Sequence, residues 1–286
     1  MIAFQTEMEE FFHWAKINNM SFNGDKFVVL RYGKDQEIKN DTTYFTDDWE
    51  SPIGAYSHHK DLGIYMSDSR KFDHHIDELC KKVRKRIGWI CRTFFCRDIS
   101  FMRRIYIAVI RPHIDYCSQV WAQSEGVALD RVEKLQADFT RLVPEIRELR
   151  YEQRLKAMRL QSIQRRFDRY RILYIRKSVR GEVPSLGVQV RDKHNSRDGL
   201  KLIVPSKKGM SVLRSDSLTV RGPELWNCLP ADLREIALSK ETFKHKLDEF
   251  LELIMDEPRI GGCRLNSNKL DVRVSQWEWS LRNYSL

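Results

Sequence analysis

Nowhere in its 286 residues does the chain carry an apolar run long enough to cross a bilayer. Its first residues, Met1-Ile-Ala-Phe-Gln-Thr-Glu7, lack the basic-then-apolar pattern of a secretory leader, so neither a span nor a leader is expected. Cysteine is scarce: Cys80, Cys91, Cys96, Cys117, Cys228 and Cys263 form no Cys-x-x-Cys pair, and no zinc knuckle is present. Most lie within apolar helical patterns and are expected to be reduced core thiols of an intracellular protein. The doublets His58-His59 and His74-His75 have no cysteine near enough to complete a four-ligand site, so no metal is expected there. Internal repeats and an endonuclease signature are also absent.

What is abundant is positive charge, and it is unevenly spread. The net charge is +10 and the pI about 9.3. Residues 1–68 carry a net −6 and the remainder +16. An acidic first module followed by a basic body is compatible with nucleic acid, and equally with a solvated basic surface.

Along the chain, residues 3–19 have helical apolar spacing, with Phe4, Met8, Phe11, Phe12 and Ala15 on one face. A strand is expected over Lys26–Tyr32, with further extended pieces around Tyr44 and at Leu62–Tyr65 as antiparallel partners. Ser69–Phe95 is the strongest helical pattern. Phe72, Ile76, Leu79, Val83, Ile87, Ile90 and Phe94 step by three or four, and Ser69 is the expected N-cap. Its other faces carry Lys81, Lys82, Arg84, Lys85, Arg86 and Arg92. Helices are expected over Ala128–Val143 and Tyr151–Val179. In the second, Arg165, Arg166, Arg169, Arg171, Arg176 and Lys177 form an expected second cationic surface, interleaved with Tyr170 and Tyr174. Such tyrosines suit single strands, although core tyrosines share the same spacing. Residues 181–222 are rich in Gly, Pro, Ser and basic residues and are expected to form a loop-rich connector. Trp226, Leu229 and Leu233 are expected to form an apolar knot between two prolines. Ser239 is expected to cap a helix through Ile254, with irregular chain from Pro258 onward.

The most informative stretch is Arg104-Ile-Tyr-Ile-Ala-Val-Ile-Arg-Pro-His-Ile-Asp-Tyr-Cys-Ser-Gln-Val-Trp121. Met102, Ile105, Tyr106 and Val109 make an apolar helical face, and Pro112 predicts a kink or restart. Beyond it Ile114, Cys117 and Trp121 alternate with Asp115, Ser118 and Gln119, the pattern of a buried helix with a few polar anchors. The run Ile110–Trp121 resembles the segment just downstream of the polymerase core in reverse transcriptases of jockey-like non-LTR retrotransposons. Three further segments match in order. Met20-Ser-Phe-Asn-Gly-Asp-Lys26 resembles motif D, where a lysine lies near the incoming nucleotide's phosphates. Asp61-Leu-Gly-Ile64 resembles the primer grip. Arg221-Gly-Pro-Glu-Leu-Trp-Asn-Cys-Leu-Pro-Ala-Asp-Leu-Arg234 resembles the elements' C-terminal tail. Without the resemblance, Lys26 is an exposed edge lysine and Gly63 a strand bend.

The resemblance implies an α+β, mainly α protein: a palm remnant with a small antiparallel sheet over residues 1–68, a helical thumb-like domain over 69–180, the connector over 181–222 and a helical C-terminal region over 223–286. It implies nucleic-acid contacts by Lys26, Leu62, Gly63, Lys81, Lys82, Arg84, Lys85, Arg86, Arg165, Arg166 and Arg169. RNA, DNA or an RNA–DNA hybrid are the implied partners, along with the polymerase core missing from this chain; no membrane is implied. No catalytic residue is assigned. The family's metal-binding carboxylate pair is expected upstream of Met1, and magnesium only in a full-length enzyme. Tyr44-Phe-Thr-Asp47-Asp48 has one residue too many for that pair and follows the motif D-like stretch instead of preceding it. The alternative is a helical protein-interaction module, or a decayed element product without a nucleic-acid role.

Overall fold

Helix α1 (Ile2–Ile17) packs by one narrow side. In this computed structural model, which describes residues 2–32, 43–46, 52–122, 126–191, 199–258 and 268–284, Phe12 and Ala15 are buried while Phe4 and Phe11 are about half exposed. Phe12 meets the rings of Phe22 and Phe27, each at 5.4 Å, and Phe22 also stacks on Phe11 at 5.0 Å, so the turn after the helix covers Phe12 fully and Phe11 in part. Gln5 is buried because its amide completes both backbone groups of Phe45, at 3.1 and 3.3 Å. The chain then forms short pairings. Strand β1 (Val29–Leu30) pairs in parallel with β2 (Ala55–Tyr56), and β3 (His58–Asp61) pairs antiparallel with β4 (Ile64–Ser67). The expected strand from Lys26 is thus only two residues long, and Lys26 itself closes a 3-10 turn. The piece around Tyr44 contributes a single bridge, Phe45 to Pro52. These elements belong to the first of two compact units, Met1–His75 and Ile76–Leu286. As expected, the chain is α+β and mainly helical.

Helix α2 (Asp73–Thr93) buries Ile76, Leu79, Cys80, Val83 and Ile90. Ser69 does not cap it. Its hydroxyl lies 2.9 Å from that of Ser67 in the preceding turn, and the helix begins with Asp73 in its first turn, where a carboxylate favours the positive end of the helix.

The Arg104–Trp121 stretch is built in four pieces: α3 (Ile99–Ile105), a π-helical turn (Tyr106–Ile110), α4 (Arg111–Asp115) and α5 (Ser118–Trp121). From Met102 the buried residues Tyr106, Ile110, Ile114 and Ser118 follow every four positions, and buried Trp121 closes the stretch three residues on. On a regular α-helix such a stripe drifts by about 40° per step. The wider π turn offsets that drift. It also accommodates Pro112, which cannot donate to the carbonyl four residues earlier: the last N–H before it, from Arg111, reaches five residues back to Tyr106 O. The outright break comes later than Pro112, at Cys117, whose φ of 50° is left-handed.

Helix α6 (Val127–Thr140) follows, then a 3-10 turn at Pro144–Ile146. The single helix expected over Tyr151–Val179 is two, α7 (Tyr151–Ala157) and α8 (Ile163–Val179). Arg159 at φ 48° interrupts them, and Ser162 restarts the second by accepting from Arg165 N. The rest is α9 (Val212–Ser215), α10 (Leu218–Asn227), α11 (Lys240–Leu253) and α12 (Leu270–Tyr284). Ser239 caps α11 as expected, and Phe243, Leu247, Phe250 and Leu251 are buried. The expected knot of Trp226, Leu229 and Leu233 is part of a larger core with Ile172 and Ile175 of α8. Gly222 lets α10 approach α8, since a Cβ there would sit 2.5 Å from Ile175 Cδ1. Two regions do more than expected. Leu200 and Leu202 of the 181–222 segment are core residues, and Leu200 O accepts from Trp226 Nε1 at 2.9 Å. The stretch after Pro258, expected to be irregular, contains α12, which buries Leu270 and Val274 in the same core at i, i+4 spacing.

A buried polar chain crosses the second unit. Tyr106 donates to Gln136, and Gln136 Nε2 donates to Tyr151 Oη at 2.9 Å. Tyr151 donates to Glu133 Oε1 at 2.5 Å, and Glu133 accepts from Ile163 N at 2.9 Å. Burial pushes the Glu133 carboxyl up to about 8 from an ordinary 4.5, against the lowering effect of the Tyr151, Ile163 and Gln164 hydrogen bonds. A raised carboxyl adds stability in full below its unfolded value and loses it as pH rises through the folded one. The protein is therefore expected to lose stability between about pH 4.5 and about pH 8 through this group. Glu133→Gln keeps an acceptor for Ile163 N–H and removes the titration. Denaturation midpoints measured across that window should slope less in the variant, and an unchanged slope would refute the assignment.

Candidate nucleic-acid interface

On α2 the apolar stripe turns inward and the basic residues outward. Lys81, Lys82, Arg84, Lys85 and Arg86 are all exposed. Among the described residues one of them forms an ion pair, Lys81 with Glu78 at 2.7 Å, one turn away and in solvent, where such a pair is weak. Asp77 on the same helix is directed to Arg131 of α6 instead. The positive field continues onto α4. The His113 ring lies below its ordinary pKa through burial and the nearby Lys82 and Arg86. Trp89 of the same helix and Phe95, two residues past its end, stand 41% and 93% exposed. Sequence periodicity did not single out Trp89, Phe95 or His113. The available signal was that Trp89 falls outside the apolar stripe of its helix.

Leu62 and Gly63 form the two-residue turn between β3 and β4, with Asp61 opposite Ile64. Their φ angles are 44° and 86°. Two successive positive values make a type I′ turn, whose twist matches the flanking strands. Gly63 suits that geometry. Leu62 does not, at a cost of about 1–2 kcal/mol for a side chain in the left-handed region. It stands 83% exposed at the hairpin tip. Lys26 is exposed in a separate element of the same unit.

The expected second cationic surface does not form from Arg165, Arg166 and Arg169. Arg165 is fully buried and donates to Met255 O at 2.9 Å. Arg166 holds Asp115 of α4 through Nε (2.9 Å) and Nη2 (2.6 Å), and Tyr170 Oη donates to the same carboxylate at 2.9 Å. Arg169 pairs through two nitrogens with Asp248 of α11, at 2.5 and 2.7 Å. Arg171 and Arg176 are buried too, donating to Ala122 O and Leu238 O. Planar guanidinium groups anchored on carboxylates and carbonyls are structural ties here, and their charge is largely withdrawn from solvent. Asp115 is one of the polar anchors expected in the Arg104–Trp121 stretch, and its role is to bind α4 to α8.

The histidine doublets meet in the first unit, with the His58 and His74 rings 4.5 Å apart. His75 is held down to about 4 by burial, then by His74 and Lys60, and it accepts from Tyr65 N at 3.5 Å. Among the described residues no three His, Cys, Asp or Glu side chains are grouped to hold a metal. Asp47 and Asp48 lie outside the described residues. Comparison with known proteins finds no matching family, curated protein or solved structure.

Asp115 and Arg166 are largely buried, at 15% and 13% side-chain exposure, and Arg111 also lies 3.7 Å from Asp115; removing one partner leaves charge uncompensated, with about 3–5 kcal/mol as the ceiling for a fully buried pair. Asp115→Ala is expected to destabilise the protein by that order. A double Asp115→Leu, Arg166→Met variant should recover most of the loss, as read by urea denaturation. Equal stability of Asp115→Ala and the parent would show that the pair ties nothing.

Proposed function

We propose that the chain is part of a non-LTR retrotransposon reverse transcriptase, lying beyond its catalytic motifs, and that it contacts template–primer nucleic acid through the cationic face of α2. The observation that carries this is the contrast between two basic helices. The arginines of α8 are consumed internally, whereas five successive cations of α2 face solvent. A helix that tracks a sugar–phosphate backbone needs such a face, because phosphate contacts supply affinity without reading sequence. The family resemblance supplies the kind of nucleic acid. The Leu62–Gly63 turn and Lys26 are assigned to the primer end and the incoming nucleotide on the resemblance alone. Exposed Phe4, Phe11, Trp14 and Ile17 on α1 favour the second reading, a helical protein-interaction module.

Changing Lys81, Lys82, Arg84, Lys85 and Arg86 to Glu is expected to abolish binding to an RNA–DNA hybrid with helicity retained. In the parent, raising salt from about 50 to about 200 mM should weaken binding on the order of 10²–10³-fold if all five cations meet phosphates. Unchanged affinity in the reversed protein would select the second reading.

The chain alone is expected not to extend a primer on an RNA template with magnesium or manganese, since nucleotidyl transfer needs carboxylates from separate motifs converging on the metals. Extension that disappears in an Asp47→Ala, Asp48→Ala double variant would make this chain an enzyme in its own right.

A further inference from the structure

A groove of about 410 Å³ runs along α8 where it faces α5 and the start of α11. From α8 come Tyr170, Tyr174 and Lys177, at i, i+4 and i+7 on one helix face; from α11 come Lys240, Phe243 and Lys244 at i, i+3 and i+4. The floor is rigid. Phe243 is buried, stacked on Trp226 at 6.0 Å, with the Arg176 guanidinium 4.9 Å from its ring centre. The two arginines along the groove are already committed, Arg169 to Asp248 and Arg176 to Leu238 O. Its three lysines are not: Lys177, Lys240 and Lys244 have no carboxylate partner among the described residues. The two tyrosines divide in the same way. Tyr170 donates to Asp115, and Arg166 covers its ring at 5.0 Å. Tyr174 is half-buried and has neither a ring partner nor a hydrogen bond among the described residues.

The groove thus combines one available aromatic face with three available ammonium groups. Its volume falls in the range of about 300–1,000 Å³ typical of small-ligand sites. Ammonium groups bind phosphate as mobile point charges, and a tyrosine face accepts any base by stacking. We propose that this groove captures one unpaired nucleotide of a single strand, its base on Tyr174 and its phosphate among Lys177, Lys240 and Lys244. The proposal rests on the nucleic-acid reading above and adds a single-strand site separate from the face of α2.

The test uses the full chain, a labelled short oligouridylate and a labelled RNA–DNA duplex, with affinities read by fluorescence anisotropy. Tyr174→Ala is expected to weaken oligouridylate binding about tenfold or more, within the range for loss of one stacked base, and a Lys240→Glu, Lys244→Glu double variant is expected to weaken it at least as much by reversing the charge that meets phosphate. Duplex affinity should hold, and Tyr174→Phe should bind the single strand as the parent does. Circular dichroism checks that the variants fold. The charge-reversed α2 protein should show the opposite pattern, losing the duplex and keeping the single strand. Equal oligouridylate affinity in parent, Tyr174→Ala and the lysine double variant overturns the groove and leaves α2 standing. Duplex affinity unchanged by α2 reversal, alongside weakened oligouridylate binding in the groove variants, removes the α2 reading and supports the groove. Polyglutamate binding that depends on the lysines but not on Tyr174, and that matches oligouridylate in strength, overturns it in favour of an acidic peptide.

Discussion

Helix α8 begins inside the protein, and the second unit is arranged around the need to satisfy that buried end. The first N–H groups of a helix have no partner within it, and when they are shielded from water something else must accept from them. Three side chains do so. Glu133 of α6 accepts from Ile163 and Gln164, Ser162 accepts from Arg165, and Asp256 accepts from both the amide and the hydroxyl of Ser162. Asn268 then donates to Asp256, bringing in the segment before α12. One helix terminus therefore ties together residues from 133 to 268. The same low-polarity setting that strengthens these bonds pushes the Glu133 carboxyl upward, so the tie depends on pH.

Farther along α8 the arginines repeat that logic with opposite charge. Arg166 reaches α4, Arg169 reaches α11, Arg171 reaches the end of α5, and Arg176 reaches the segment before α11. Each long side chain crosses to a neighbouring element and ends on a carboxylate or carbonyl, so α8 serves as the axis to which the others are fastened. What remains for solvent is decided by this consumption. The cations of α2 and the lysines of the α8–α11 groove stay available because the acids near them are few or already engaged, as Asp77 is with Arg131 and Asp248 with Arg169. The two candidate surfaces differ accordingly. The first is an open cationic helix face suited to a backbone, the second a recess with an aromatic wall suited to a single unit.

Local pattern was enough where burial follows from periodicity. The apolar stripe of α2 and that of α11 with its Ser239 cap are legible because a helix face needs only its own sequence to be apolar. The Trp226 knot was legible for the same reason, although its size was not. Pattern failed at Ser69 and at the start of α8. A serine is a cap only if the backbone around it turns helical, and the competing turn with Ser67 took the first one. It failed again after Pro258. Leu270 and Val274 are too few to announce a helix alone, and they matter because a core is already there to receive them.

By itself the sequence determined that the protein is α+β and mainly helical, that its positive charge lies beyond the first module, and which faces of its strongest helices are apolar. Only the tertiary structure decided which positive charges are available. A guanidinium and a carboxylate find each other across the chain, 51 residues apart for Arg166 and Asp115 and 79 for Arg169 and Asp248, and no local window contains both. Arginine-rich helices that look alike in sequence thus part ways on folding. Where a carboxylate is brought within reach the charge becomes an internal tie, and where none is among the described residues, as along most of α2, it remains a surface.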